Sequence, residues 1–247
     1  MVLAGCGHAG TNAGDESFDS LGSRHADPVS DEAQPPRPAR FERRAAVRYH
    51  MARHFDDLRV VEQLLVANKL DEARTRAFLL TKPARDPGME PWEIETKRVV
   101  AAAVELTKAP TIDAACRAEA RVAEACAQCH ALVQKLPVFA PPPAVPADLA
   151  TMESRMARHQ WAVDRLWEGM VGASDGPWYA GLDVLAKTPL PWAPADDAAG
   201  RAKHLRAVAH EAQAKRTIEM LSDRATSYGE IMVTCADCHA TLGDKKR

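Results

Sequence analysis

The sequence predicts an all-α protein built as two tandem antiparallel four-helix bundles, and three observations support this. Ala, Leu and Val dominate an apolar content of 46%, whereas aromatic residues make up only 5% of the chain. Alanine is a strong helix former, whereas aromatic and β-branched residues lead in strands. Stretches with helical periodicity end at prolines, and one plan of such stretches runs twice through the chain.

The repeat is defined by four landmarks that recur in the same order, with an offset that drifts between 100 and 109 residues. The drift is expected because loops change length more readily than helices do. The four pairs are Met51-Ala-Arg-His54 with Met156-Ala-Arg-His159, Lys82-Pro83 and Pro91-Trp92 with Lys187-Thr-Pro189 and Pro191-Trp192, Thr111-Ile-Asp113 with Thr217-Ile-Glu219, and Cys126-Ala-Gln-Cys129-His130 with Cys235-Ala-Asp-Cys238-His239. We interpret the two copies as an internal duplication.

Apolar spacing and proline positions predict four helices in each copy. Pro83 and Pro110 stop helices, and Pro91 suits the first turn of one. The predicted helices are 41–67, 70–81, 91–108 and 111–136 in the first copy, and 148–171, 177–187, 195–214 and 216–242 in the second. Four helices with short connections are typical of an antiparallel bundle with its ligand site inside.

The predicted domain boundaries follow changes in composition. Residues 1–39 are rich in Gly, Asp, Ser and Pro and are expected to form a flexible tether. Residues 40–136 form the first bundle and residues 148–247 the second. Residues 137–147 between them are dense in proline, which favours an extended, semi-rigid spacer.

Each copy ends with the pentapeptide C-x-x-C-H, which is the attachment signature of c-type haem. Two thiols add to the haem vinyl groups as thioethers, and the adjacent imidazole reaches the iron as proximal ligand. Positions i, i+3 and i+4 of a helix share a face, so the three groups can hold one porphyrin. The sequence therefore predicts two covalent haem c groups, with thioether and iron-ligand residues Cys126, Cys129, His130, Cys235, Cys238 and His239.

A haem motif on the last helix of a four-helix unit resembles the class II cytochromes c, namely cytochrome c′ and its low-spin relatives. The resemblance covers most of the chain from about Phe41 onward. It implies a bundle in which the first helix faces the distal side of the haem. Low-spin members place a methionine there, and Met51 and Met156 occupy equivalent positions on the two first helices.

The resemblance thus implies Met51 and Met156 as sixth iron ligands, which would raise the reduction potential. One alternative is that both methionines fill the bundle core. Another is ligation by His54 and His159, three residues further along each helix. The histidines without a repeat counterpart are expected at the surface, and these are His50, His204 and His210.

The N-terminal Leu3-Ala4-Gly5-Cys6 matches a bacterial lipobox, which predicts lipidation of Cys6. Since haem c is attached outside the inner membrane, Met1 is then expected to lie inside the true signal peptide. The protein would be periplasmic or otherwise extracytoplasmic and anchored to the membrane by lipid. The alternative is a disordered tail with an incidental cysteine. Cys116 is expected to be a small buried residue pointing away from the thioether face.

The function expected from these features is electron transfer with redox partner proteins, such as membrane respiratory or photosynthetic complexes, rather than catalysis. The alternative is a cytochrome c′-like protein that binds or senses nitric oxide or carbon monoxide at a five-coordinate haem. A net charge of −2 gives no case for nucleic-acid binding. Zinc binding and thioredoxin-like chemistry are disfavoured, because the cysteine pairs lie more than a hundred residues apart and no βαβ pattern surrounds them.

Overall fold

The computed structural model describes residues 40–83, 86–134, 137–188, 196–213 and 221–243. All regular structure in these ranges is helical, which confirms the all-α part of the predicted fold class. The α-helices are α1 (Arg40–Val66), α2 (Leu70–Ala77), α3 (Glu93–Lys108), α4 (Ile112–Leu132), α5 (Met152–Val171), α6 (Asp175–Lys187), α7 (Asp196–Ala212) and α8 (Leu221–Gly243).

Two short 3-10 helices complete the described elements: Phe78–Thr81 prolongs α2, and Glu90–Trp92 leads into α3. No helix in the described ranges is both long and apolar enough to cross a bilayer. The predicted lipobox cysteine Cys6 and the predicted tether at 1–39 lie outside the described residues.

Threonine caps start helices α4 and α5. Thr111 precedes α4 and accepts a hydrogen bond from the Ala114 amide at 3.2 Å. Thr151 precedes α5 and accepts one from the Ser154 amide, also at 3.2 Å. A hydroxyl at this position satisfies an amide that has no partner within the helix.

The first helix of each copy ends with the same backbone turn. Asn68 after α1 and Ala173 after α5 are both left-handed, with φ of 58° and 47°. The amide of the next residue bonds back across the turn at 2.9 Å in each case, Lys69 to Leu64 and Ser174 to Gly169. These are Schellman-type caps, and they lie 105 positions apart, as Met51 and Met156 do. The internal repeat therefore extends to backbone conformation.

Helices pack in chain order within each copy, and α1 also contacts α4, as α5 contacts α8. In addition, α4 packs extensively along α8, α1 contacts α8 and α4 contacts α5. One connected core consequently contains buried residues from both copies, and residues 38–247 form one compact unit. Small buried side chains on α4 permit this close packing, among them Ala115, Ala118, Ala120 and Ala123.

Two contacts between the copies join residues that are repeat counterparts. A Cβ on Gly229 of α8 would lie 3.5 Å from the Cβ of Ala120 on α4, and these positions are 109 apart, as Cys126 and Cys235 are. Arg59 of α1 donates to Asp164 of α5, exactly 105 positions later. In a two-fold arrangement only residues near the axis meet their own counterparts. Both contacts are those that an approximate internal two-fold arrangement of the two copies would produce.

The proline-rich connection at 137–149 is not helical, as predicted, but it is held against α5 instead of standing free as a spacer. Trp161 Nε1 donates to the Pro143 carbonyl at 2.9 Å, and Arg158 donates to the Pro146 carbonyl at 2.6 Å. Ser154 Oγ also donates to the Ala147 carbonyl at 2.6 Å. Proline carbonyls remain acceptors although proline lacks an amide hydrogen, which explains these anchors.

Candidate functional site

The first C-x-x-C-H motif lies in the last two turns of α4. Cys129 is buried, and Cys126 and His130 are half-buried. Both thiols are free, and neither is joined to the other as a disulfide. Since the motif is entirely helical, the two sulfurs and the imidazole lie on one side of α4, as the sequence predicts.

His130 is oriented by the other copy of the repeat. Its Nδ1 lies 2.7 Å from the carbonyl oxygen of Val171, the last residue of α5. Because a carbonyl only accepts hydrogen bonds, Nδ1 carries the proton and Nε2 keeps its lone pair. Burial lowers the pKa of His130, which favours the neutral ring. A neutral imidazole held through its second nitrogen by a carbonyl is the usual state of a metal-ligating histidine.

The second motif lies near the end of α8 and is less enclosed. Cys235 and Cys238 are half-buried, and His239 is more exposed than His130. Burial lowers the pKa of His159 on α5, and the charges of Arg158 and His239 lower it further. His239 is therefore close enough to His159 for its charge to act on that residue of the Met-Ala-Arg-His segment.

The motif thiols are in apolar surroundings. Burial raises the pKa of Cys126 and of Cys235 to about 12, with a smaller contribution from the second cysteine of each motif. Disulfide oxidoreductases need the opposite, a lowered thiol pKa that yields a thiolate at neutral pH. A neutral thioether, by contrast, carries no charge to bury, so these positions suit covalent attachment to haem.

Met51 and Met156 are both half-buried. Neither belongs to the connected core, and neither is among the half-buried apolar residues packed against it. Both copies thus place the methionine at a partly exposed position of the first helix.

The competing ligands His54 and His159 are engaged in other contacts. His159 is buried, and its Nε2 donates to the Thr188 carbonyl at 3.1 Å. The ring of His54 lies against that of His50, with centroids 4.1 Å apart. Burial and the neighbouring His50 lower the pKa of His54 to about 4. These contacts leave the methionines less constrained than the histidines.

His50 was expected at the surface, and this prediction is wrong. Its side chain is 7% exposed, and Nδ1 lies 2.6 Å from a carboxylate oxygen of Asp86. The segment at 86–89 covers this part of α1, where a Cβ on Gly88 would lie 3.0 Å from Val47. His204 and His210 are exposed, and Cys116 is fully buried, as predicted.

Sequence reasoning missed a group of buried acidic side chains where α1, α4, α5 and α8 meet. Glu62 is 2% exposed and Glu119 is 0% exposed. Arg59 donates to Glu62 at 2.6 Å and also to Asp164. One signal was available: Glu119 lies seven residues before Cys126 and therefore on the same face of α4.

Comparison with known protein families, with curated proteins and with solved structures finds no match to this chain. Among the described residues, no group of three or more His, Cys, Asp and Glu side chains is arranged to hold a metal ion. The residues of the first motif nevertheless fit haem c, because two free thiols and an imidazole with a free Nε2 lie on one side of α4.

Proposed function

We propose that this chain is a dihaem c-type cytochrome of two four-helix repeats, which transfers electrons on the outer side of a membrane. The observation that carries the proposal is the hydrogen bond from His130 Nδ1 to the Val171 carbonyl at 2.7 Å. It presents Nε2 to a metal beside two thiols at the spacing of the haem c signature. The second motif supports the proposal by repeating the spacing of the two cysteines and the histidine on α8.

The protein residues have distinct roles in this proposal. Cys126 and Cys129 hold one haem as thioethers, and Cys235 and Cys238 hold the other. His130 and His239 are the proximal ligands, and Met51 and Met156 are the distal ones. Bound haem supplies an iron that accepts and releases one electron. With a histidine and a methionine both holding the iron, an electron could be taken up and released without a change of protein ligands.

The packing of α4 along α8 supports transfer between two haems. Arg117 of α4 donates to Glu230 of α8 at 2.6 Å, beside the contact of Ala120 with Gly229, so the two helices run antiparallel. Ala120 and Gly229 each precede the first motif cysteine by six residues. Because the helices are antiparallel, the two cysteines, Cys126 and Cys235, lie on opposite sides of this contact. At 1.5 Å per residue, they are roughly 18 Å apart measured along the helix axes. Both motifs thus belong to one compact unit.

Lipid attachment at Cys6 and redox partner proteins complete the proposal. A lipidated cysteine would anchor the protein at the membrane surface and keep it near membrane-bound electron donors and acceptors. The support for this part is the Leu3-Ala4-Gly5-Cys6 sequence together with the extracytoplasmic attachment that haem c requires.

Substitution of either distal methionine tests the proposed coordination. In Met51→Ala and in Met156→Ala, one of the two haems should change from low spin to high spin, because alanine offers no ligand atom. Absorption and electron paramagnetic resonance spectra of the oxidised holoprotein would measure this change. Met152→Ala is the matched control, since Met152 is half-buried one turn before Met156 on α5.

Two outcomes would contradict the assignment of the methionines. A low-spin spectrum that is unchanged in both variants would favour His54 and His159 as ligands. A high-spin spectrum of the unmodified protein would favour a five-coordinate haem and the gas-binding alternative. In the expected result, each variant also loses half of the weak long-wavelength absorption band of methionine–iron coordination.

A further inference from the structure

The acidic group between the two copies has an unusual balance of charge. Glu62 and Glu119 are buried, and Arg59 is the guanidinium within hydrogen-bond reach of Glu62. Arg59 is shared with Asp164, whose side chain is 33% exposed. Three carboxyl groups therefore face one positive charge. A low-dielectric interior does not tolerate this imbalance, so at least one buried carboxyl must hold a proton.

The surroundings of the two buried carboxyls distinguish them. Both oxygens of Glu119 are buried without a hydrogen-bond partner among the described residues. Burial raises its pKa far above the usual range, so Glu119 stays neutral. Burial also raises the pKa of Glu62, but the charge of Arg59 opposes this and limits it to about 7. Glu62 is thus the group that changes charge near neutral pH.

The other groups that face Glu62 come from α4, α5 and α8. Asp164 of α5 raises the pKa of Glu62 through its negative charge. Tyr228 of α8 also faces Glu62, and burial raises its own pKa so far that it stays neutral. Glu119 of α4 is the neutral neighbour already described, and its own pKa is raised further by the charge of Glu62. Asp164 is the partly exposed member of the group, with 33% of its side chain accessible.

The acidic group lies between the two haem motifs. Glu119 lies seven residues before Cys126, two turns earlier on the same face of α4. Burial raises the pKa of Cys235, and the charge of Glu62 raises it further. Each carboxyl is thus within electrostatic reach of the first cysteine of one motif. A haem bound to Cys235 would be within the same reach of Glu62.

The repeat shows that carboxyl groups are not required at these positions by the fold. The counterpart of Glu62 in the second copy is Trp167, and the counterpart of Glu119 is Tyr228. These two aromatic rings pack against each other with centroids 6.0 Å apart. At these equivalent positions the second copy therefore has aromatic rings, whereas the first copy has two buried acidic side chains, which are costly to bury.

We propose that Glu62 takes up a proton when the haem at Cys235 and Cys238 is reduced, so that electron transfer through this protein is coupled to proton transfer. The inference rests on the proposed function. One electron from an external one-electron reductant goes to the ferric iron, and one proton from water goes to a carboxylate oxygen of Glu62. Oxidation returns the electron to an acceptor and the proton to water.

The expected size of the coupling follows from electrostatics. Reduction would remove one positive charge from the haem, and for a buried carboxyl within electrostatic reach this would raise the proton affinity of Glu62 on the order of tenfold. The reduction potential should therefore be higher on the acidic side of pH 7 than on the alkaline side. A tenfold change in the reduction equilibrium constant corresponds to about 59 mV for one electron.

Potentiometric titration of the holoprotein from acid to alkaline pH tests the inference. The reduction potential of one haem in the wild-type protein should fall by about 59 mV across the transition, because this corresponds to a tenfold change in the reduction equilibrium constant. Reduction should also be accompanied by uptake of a fraction of a proton, which a pH indicator dye would detect in a weakly buffered solution. Glu62→Gln should abolish both effects. Glu119→Gln should retain both effects, because Glu119 is neutral in both redox states. Glu105→Gln should also retain them, because Glu105 is exposed on α3.

A second variant guards against loss of structure in Glu62→Gln. Asp164→Asn removes a charge that raises the pKa of Glu62, so the transition should persist but move to lower pH. A Glu62→Gln protein whose potential still falls with pH as in the wild type would overturn the inference, as would loss of the effect in Glu119→Gln alone. A protein without covalent haem would instead refute the proposed function itself.

Discussion

Alanine at both Cys126 and Cys129 is expected to yield a protein with one covalent haem instead of two. Haem c is retained under denaturing conditions because of its thioether bonds, so removal of both thiols of one motif removes that haem from the chain. Mass spectrometry of the intact, denatured protein would count the haems. The mirror-image variant, with alanine at Cys235 and Cys238, should also retain one haem, bound to the first motif.

Cys116→Ala is the matched control for the motif substitutions. Cys116 is also a free cysteine on α4 and is fully buried, but it lies outside the motif. This variant should retain both haems. An unchanged haem count after removal of Cys126 and Cys129 would show that the motif is not an attachment site.

Gly181→Ala should destabilise the protein by about 3 kcal/mol, which is the upper part of the range for overpacking a tight core. A Cβ on Gly181 of α6 would lie 2.5 Å from the Ala162 carbonyl oxygen and 2.8 Å from Leu166 Cγ, both on α5. Since a backbone atom cannot yield as a flexible side chain can, the two helices must move apart. Urea unfolding followed by circular dichroism would measure the change in the free energy of unfolding.

Gly200→Ala provides the opposite result as a control. Gly200 lies within α7, and nothing is found within 4 Å of a Cβ at this position. Alanine there should stabilise the protein by about 1 kcal/mol, because it has the higher helix propensity. Equal effects of the two substitutions would contradict the close contact between α5 and α6.

The helices could be predicted from sequence because their ends carry local signals. Pro83 and Pro110 stop helices, Thr111 caps α4, and the predicted bounds differ from the observed ones by a few residues. The packing of α4 along α8 could not be predicted in this way. Its alanine-rich surface is suited to close packing but does not specify which helix it contacts.

The motif residues of the site are visible in the sequence, whereas the groups that orient them are not. Val171 acts on His130 through its backbone carbonyl, which any residue type would supply. Asp86 buries His50 from 36 positions away in the chain. Glu62 and Glu119 have the appearance of solvated helix positions, because only the assembled two-fold packing encloses them. Each of these features depends on contacts between distant segments.

The most direct test of the account is the mass of the unmodified protein, produced with an export leader in a host that attaches haem c outside its inner membrane. The chain is expected to carry two haems after denaturation and solvent extraction, located by peptide mapping at Cys126–Cys129 and at Cys235–Cys238. A chain that carries no covalent haem, with all four motif thiols free or joined as disulfides, would contradict it.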